Sequence, residues 1–474
     1  QGCQRKKRKE EVEMEQSKDE KLGTEKLGKL IVSMALPAVA AQLINVLYNI
    51  VDRIYIGHIA GHGDMALTGV GVTFPIITII SAFSAFAGMG GAPIASIHLG
   101  KKDYEGAERI LGNSTSLLLL FSVVLTAFFM IFKTPILYAF GASDNIISYA
   151  QEYITIYLVG TVFVQLAIGL NTFISGQGNA KVAMLSVLIG AIINIVLDPI
   201  FIFLFDMGVK GAALATILSQ AVSAVWVVRF LVSKKSIIRI RKKYLKLSKK
   251  IVGAIAAIGI SPFIMQSTES LVTVVLNNGL QKYGGDLYVG TMSILMSVMQ
   301  LIIVPIQGVS QGVQPIISYN FGAGKRGRVM GAFKRMLIIC LAASMTLGIS
   351  AIVGPEFFAR MFTDKKELVD LTASVMPVYF FGITIFGIQM ACQCAFIALG
   401  QAKLSLFAAL LRKVILLVPL AIILPKYFGV SGIYYAEPIA DIIAVFVTSV
   451  LFLTITRKFL RNCGNNDMMG KRKQ

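Results

Sequence analysis

The chain has 474 residues, 55% of them hydrophobic and only 15% charged, where an ordinary soluble domain carries about 25% charged residues. That balance excludes a soluble domain. The net charge of +20 would suit a nucleic-acid binder, but the basic residues gather in the tails and in alternate loops, so no nucleic-acid partner is expected.

Residues 1–28 read as a mixed-charge cytoplasmic tail, disordered or a short surface helix, without a secretory leader. Twelve apolar segments long enough to cross a bilayer follow. They lie near 29–56, 66–98, 104–132, 146–174, 180–205, 209–233, 250–279, 286–320, 329–353, 368–398, 404–424 and 430–457. The first carries Gln42, Asn45, Asn49 and Asp52 at steps of three, four and three, which places all four on one helix face. A carboxylate near the bilayer centre costs about 2.5–3.5 kcal/mol on insertion scales, so such a face looks into a bundle or a wet cavity. The three amides fit either a cavity wall or a polar seam between helices.

Gly88, Gly90, Gly91 and Pro93 interrupt the second segment, as membrane helices tolerate where neighbours satisfy the backbone. The fifth segment holds Asn194 and Asp198 one turn apart, followed by Pro199, which removes a helical donor and predicts a kink. Thr216 lies on the sixth. A basic cytoplasmic linker at 234–249 comes next, read as a topology determinant that touches anionic lipid. Segment seven carries Gln266, Glu269, Thr273 and Asn277, and segment eight has Gln307 and Gln311 beside a stripe of Met292 and Met296. Methionines suit variable apolar guests, though such a stripe equally serves packing. Gln393 on segment ten and Glu437 on segment twelve extend the polar set, with Asp441 one turn beyond Glu437. A cytoplasmic tail, 458–474, closes the chain. Lys101, Lys102, Arg109 and the basic run 234–250 share one set of alternate loops with Lys325, Arg326 and Arg328, so that side and both termini are expected to face the cytoplasm.

An internal repeat organises these segments. At an offset of 222 residues, Tyr157 falls on Tyr379, Gly160 on Gly382, Gly178 on Gly400 and Lys181 on Lys403. The chain is therefore two pseudo-symmetric six-helix lobes, 29–233 and 250–457, sharing one orientation about an axis along the membrane normal. The lobes differ in their acids. Asp52 maps onto Asn277 at the offset of 225 that sets Pro37 on Pro262, and the counterparts of Asn194 and Asp198 fall among Leu416, Leu417, Pro419 and Leu420. Two carboxylates close together in a low dielectric cannot both stay ionised and unpaired, so the pair takes up a proton or a cation. With neutral oxygens from Asn194 and Thr216 the cage would be all oxygen, which suits a hard cation, and Na⁺ is the candidate by size and abundance. No other metal is expected: the cysteines and histidines (Cys392 and Cys394; His58, His62 and His98) show no ligand spacing. His58 and His62 read as solvated loop residues.

With the segment LPAVAAQLINVLYNIVDRIYIG, the junctions GQGNAK and GQAK, and NIVLDP on segment five, the chain resembles the multidrug and toxic compound extrusion (MATE) family. It is most similar to the bacterial DinF/MepA-like branch. The resemblance implies an all-α polytopic membrane fold of the MATE/MOP-superfamily type, and a cation site of Asp52, Asn194, Asp198 and Thr216. It implies no cofactor beyond the coupling ion, and no enzyme activity. The expected function is secondary active multidrug efflux from the bacterial cytoplasmic membrane, as a monomer, exchanging small organic cations for H⁺ or Na⁺. The expected cavity is lined by Gln42, Asn45, Asn49, Glu269, Asn277, Gln307, Gln311, Met292, Met296, Gln393 and Glu437. Glu269 matches a family glutamate on helix seven, whereas Ile388 stands where NorM-type relatives carry an aspartate. The alternative is a lipid-linked saccharide precursor flippase of the same superfamily, for which intramembrane acids carry the wrong sign. The HExxH motif, which would mark an intramembrane metalloenzyme, does not occur.

Overall fold

Lipid leaves no water to satisfy a bare backbone, so long apolar runs close their hydrogen bonds within helices. The computed structural model describes residues 21–59 and 63–470, and no strand occurs among them. The first half comprises α1 (Leu27–Gly57), α2 (Gly63–Gly100), α3 (Tyr104–Ala139), α4 (Ile147–Val159), α5 (Thr161–Gly176), α6 (Ala180–Pro199) and α7 (Gly208–Val232). The second comprises α8 (Lys249–Gly284), α9 (Asp286–Gly322), α10 (Arg326–Val353), α11 (Pro355–Arg360), α12 (Lys366–Tyr379) and α13 (Ile383–Ala398). It ends with α14 (Ala402–Leu410), α15 (Val418–Ile423), α16 (Pro425–Phe428) and α17 (Val430–Gly470).

Among the described residues ten spans are long and apolar enough to cross a membrane. Two bent pairs, α4 with α5 at 59° and α12 with α13 at 52°, bring the number to the twelve that hydropathy anticipates. Both bends fall at repeat-related breaks, Gly160 and Phe380 to Gly382. The turns of the two junctions match as well. Gly178 at φ +86° and Gly400 at φ +70° each take the left-handed conformation that a Cβ would strain. After Pro199 the chain continues as a π turn, Ile200–Leu204, and the segment at 404–424 is broken by a second, Leu411–Leu417. Leu47, Ile54, Val123 and Ile131 are exposed on the outer surface, where lipid would cover them.

The halves meet where α2 packs on α8 and α1 on α9. These crossings have almost no side-chain spacer. A Cβ on Gly259 would stand 2.1 Å from the carbonyl oxygen of Phe86, and one on Gly90 would stand 2.6 Å from that of Ile255. Gly308 and Gly312 of α9 press likewise on Val39 and Ala35 of α1. Gly259→Ala is therefore expected to force α2 and α8 apart at a cost of about 1–3 kcal/mol. Thermal unfolding in detergent measures it, and an unchanged midpoint would contradict the close approach.

The basic linker does more than set topology. Ile237, Ile238 and Tyr244 are buried against the first half. Gln177 Oε1 accepts hydrogen bonds from Ser236 Oγ (2.9 Å), the Ile237 amide (2.8 Å) and the Ile238 amide (3.2 Å). Glu108 pairs with Arg241 at 2.5 Å, and Asn113 Oδ1 accepts from the Ser248 amide at 2.7 Å. The segment is a docked strap.

The expected 1–28 tail lies outside the described residues up to position 20, but its remainder packs. Leu22 is buried against Gly178, and its carbonyl accepts from Asn320 Nδ2 at 2.8 Å. Lys325 Nζ and Arg328 Nη2 hold the carbonyls of Gly23 and Glu25, each at 2.8 Å. Residues 22–25 thus tie the Gly178 turn of one half to α9 and α10 of the other. At the far end, backbone helix continues to Gly470 through most of the expected 458–474 tail. His62 lies outside the described residues, and His58 is exposed at the end of α1.

Candidate functional site

The polar stripe of α1 faces inward along most of its length. Gln42 Nε2 donates to Gln311 Oε1 of α9 at 2.8 Å, joining the two halves. Asn45 and Asn49 follow one turn apart, and Asn49 Nδ2 folds back on the Asn45 carbonyl at 2.6 Å. Asp52 comes next and meets Asp198 of α6, their carboxyl groups close enough to interact directly. The guanidinium of its neighbour Arg53 stacks 4.4 Å over the Phe74 ring.

Asn194 and Asp198 are both buried on α6, and Asn194 Nδ2 donates to Asp198 Oδ1 at 3.2 Å. Thr216 of α7 is buried, with Tyr153 of α4 near it. Three oxygens at this spot are buried with no hydrogen-bond partner: Asp52 Oδ1, Asn194 Oδ1 and Asp198 Oδ2. A buried acceptor without a donor costs about 1–3 kcal/mol, and more where it is charged. Two carboxyl groups in contact hold together only with a proton or a cation between them. The donor set is oxygen throughout, which fits H⁺ or a hard cation such as Na⁺.

One helical turn away along both α1 and α6 lies a cavity of 420 Å³, within the roughly 300–1,000 Å³ range of small-molecule sites. Gln42, Asn45, Asn49 and Gln311 line it with Asn171, Gln220, Gln266 and Gln314, between apolar walls that include Ala191 and Met184. Among the lining residues none is charged. The acid pair and the cavity therefore share two helices. Asn49 lines the cavity three residues before Asp52, and Ala191 lines it three residues before Asn194.

Seven residues expected on the cavity wall lie elsewhere. Met292 is fully buried in the core and Met296 packs against it, so this stripe is packing. Gln393 Nε2 is spent on Ser261 Oγ and the Ser405 carbonyl, each at 2.9 Å, clamping α13 to α8 and α14. Asn277 and Gln307 are half-buried away from the cavity. Glu269 pairs with Lys413, and Glu437 pairs with Arg412 at 2.7 Å. Their charges are answered within the chain, so neither is left for a guest.

Sequence reasoning passed over Arg412 and Lys413, two cations inside an expected span, although charge in such a place is itself the signal. It also passed over Gln220, one turn beyond Thr216 on the same face, and over Asn171. Tyr153 and the neighbouring Tyr48 could not be placed without the bundle, because a tyrosine in a membrane helix has many uses.

The family model described as MatE matches residues 37–200 and 262–423, one stretch in each half. Multidrug export protein MepA of Staphylococcus haemolyticus (strain JCSC1435) is 26% identical over 433 residues, 91% of this chain and 94% of that protein. MepA of Staphylococcus aureus (strain NCTC 8325 / PS 47) is 26% identical over 420 residues, 87% of this chain and 90% of the relative. Among solved structures, the outward-facing conformation of a multidrug resistance MATE family transporter of the MOP superfamily superposes with a TM-score of 0.86 at 24% identity. It covers 94% of this chain and 98% of that one. A MATE crystal structure in the bent conformation gives 0.86 at 24% identity, covering 95% and 98%.

Proposed function

This chain belongs to the MatE family, and on that footing we propose that it is a secondary active multidrug efflux antiporter of a bacterial cytoplasmic membrane. It exports cationic, amphipathic compounds in exchange for inward H⁺ or Na⁺. One observation carries the reading: an unsatisfied pair of buried acids and a drug-sized cavity are built on the same two helices, one turn apart. Loading the acids with a proton or Na⁺ removes negative charge beside the cavity and weakens its hold on a cation. Binding of ion and guest thus favours different states, and each shifts the equilibrium by its differential affinity.

The two lobes, 29–233 and 250–457, rock about the glycine-lined crossings, with the chain acting as a monomer. The described contacts between halves crowd toward the end carrying the basic loops, where α2 and α9 meet at Gly100 and Gly322. That end is cytoplasmic on the positive-inside reading, with both termini there, so this arrangement opens outward. The multidrug names of the MepA relatives support the substrate class. A saccharide-precursor flippase fits less well. Its pyrophosphate would want Arg or Lys on the cavity wall, which has neither among its described lining residues, and Arg412 and Lys413 are already paired with acids.

Efflux of a cationic dye from everted vesicles, under separately imposed pH and Na⁺ gradients, tests the proposal and identifies the ion. Export under neither gradient would refute it. Ala191→Phe fills the cavity without touching an acid. It is expected to weaken dye binding about tenfold or more, the loss of roughly 1.4 kcal/mol of contact, and undiminished binding would place the guest elsewhere.

A further inference from the structure

The second half holds a buried charge cluster that the transport reading leaves unused. At an offset of 222 residues Arg412 stands on Gly190, and at 221 Glu437 stands on Thr216 and Asp441 on Gln220. Gly190 and Gln220 both line the first half's cavity. The cluster therefore sits at the repeat counterpart of that wall, where the remaining void measures 30 Å³ against 420 Å³.

The Arg412 side chain fills the difference in a particular way. Its Nε lies 2.5 Å from Asp441 Oδ1 and its Nη2 lies 2.7 Å from Glu437 Oε1. Its guanidinium carbon stacks 4.4 Å over the Phe386 ring. Two carboxylates in the plane and an aromatic face above are what a guanidinium guest requires. Further polar atoms surround it without partners. Asp441 Oδ2, the Tyr379 hydroxyl and Gln389 Oε1 are buried and make no hydrogen bond. Lys413, the neighbouring cation, is held by Glu269 and donates to the Met265 carbonyl at 3.3 Å. Arg412 enters the pocket from the second residue of the Leu411–Leu417 π turn, and such turns recur at functional sites.

We propose that Glu437, Asp441 and Phe386 form a recognition site for guanidinium-class monovalent cations, with Arg412 as its tethered occupant. The occupant bars free cations from the second half and confines them to the cavity of the first. That confinement rests on the transport reading, whereas the site does not.

Truncation to alanine leaves a space that ethylguanidinium restores atom for atom. The unfolding midpoint of purified full-length Arg412→Ala is expected to fall below wild type and to recover saturably with millimolar ethylguanidinium, while the neutral isostere ethylurea does nothing. Wild type and the neutral triple Arg412→Ala/Glu437→Gln/Asp441→Asn are expected not to respond. No response in Arg412→Ala, an equal response in wild type or in the triple variant, or failure of Arg412→Ala to fold even with ethylguanidinium present would each overturn the proposal. Tetraphenylphosphonium binding to wild type reads the first half's cavity separately. Its absence would refute the transport reading and leave the ethylguanidinium result standing.

Discussion

Asp198→Asn is expected to abolish gradient-driven export while the protein still folds. The amide keeps the shape of the carboxyl group and can still bond Asn194, which now lies 3.2 Å from Asp198 Oδ1. It cannot take up a proton or neutralise a cation. The unsatisfied oxygens of Asp52 and Asn194 then face a neutral partner, and ion loading no longer distinguishes the states of the transporter. Couplings between sites are typically about 1–3 kcal/mol, so roughly 5–150-fold of ion-dependent change in guest affinity should vanish. Dye binding with and without the coupling ion measures this directly, and export from everted vesicles should drop in parallel. Unchanged export in a folded variant would take Asp198 out of the mechanism.

Arg412→Ala is expected to give the largest loss of stability among single substitutions in the second half. Removing one partner of a buried ion cluster leaves uncompensated charge and typically costs about 3–5 kcal/mol. Here one guanidinium answers two carboxylates, Glu437 at 2.7 Å and Asp441 at 2.5 Å, so its removal strands both. Neutralising the acids as well, in Arg412→Ala/Glu437→Gln/Asp441→Asn, should return a large part of that loss, since the cost lies in unpaired charge more than in lost packing. Denaturant unfolding in detergent reads both variants. A single-variant loss below about 1 kcal/mol would mean that water reaches the cluster, because exposed pairs contribute no more than that.

The linker and the residues around Leu22 show how the basic-loop side is built. Charge composition alone made 234–249 a topology determinant and interlobe linker touching anionic lipid. Its Ile237, Ile238 and Tyr244 instead bury against the first half while Arg241 pairs with Glu108. A basic run with interspersed apolar residues is compatible with both outcomes, and only the partner surface, Gln177, Glu108 and Asn113, decides between them. The Arg328 and Lys325 hold on residues 22–25 is equally invisible in sequence, since the groups accepting those bonds are backbone carbonyls, which every residue carries.

What the sequence determined alone was whatever depends on periodicity and on the cost of polar groups in lipid. Twelve spans, two repeats and the inward stripe from Gln42 to Asp52 follow from the 3.6-residue period and from desolvation, which act along one helix at a time. The same argument singled out Asp52, Asn194 and Asp198, which the bundle brings to one spot. Only the tertiary structure decided which polar residues share a cavity and which neutralise one another. Glu269 and Glu437 have the sequence credentials of Asp52. Lys413 and Arg412 reach them from a different helix, and a charge answered across space cannot be recognised from spacing along the chain.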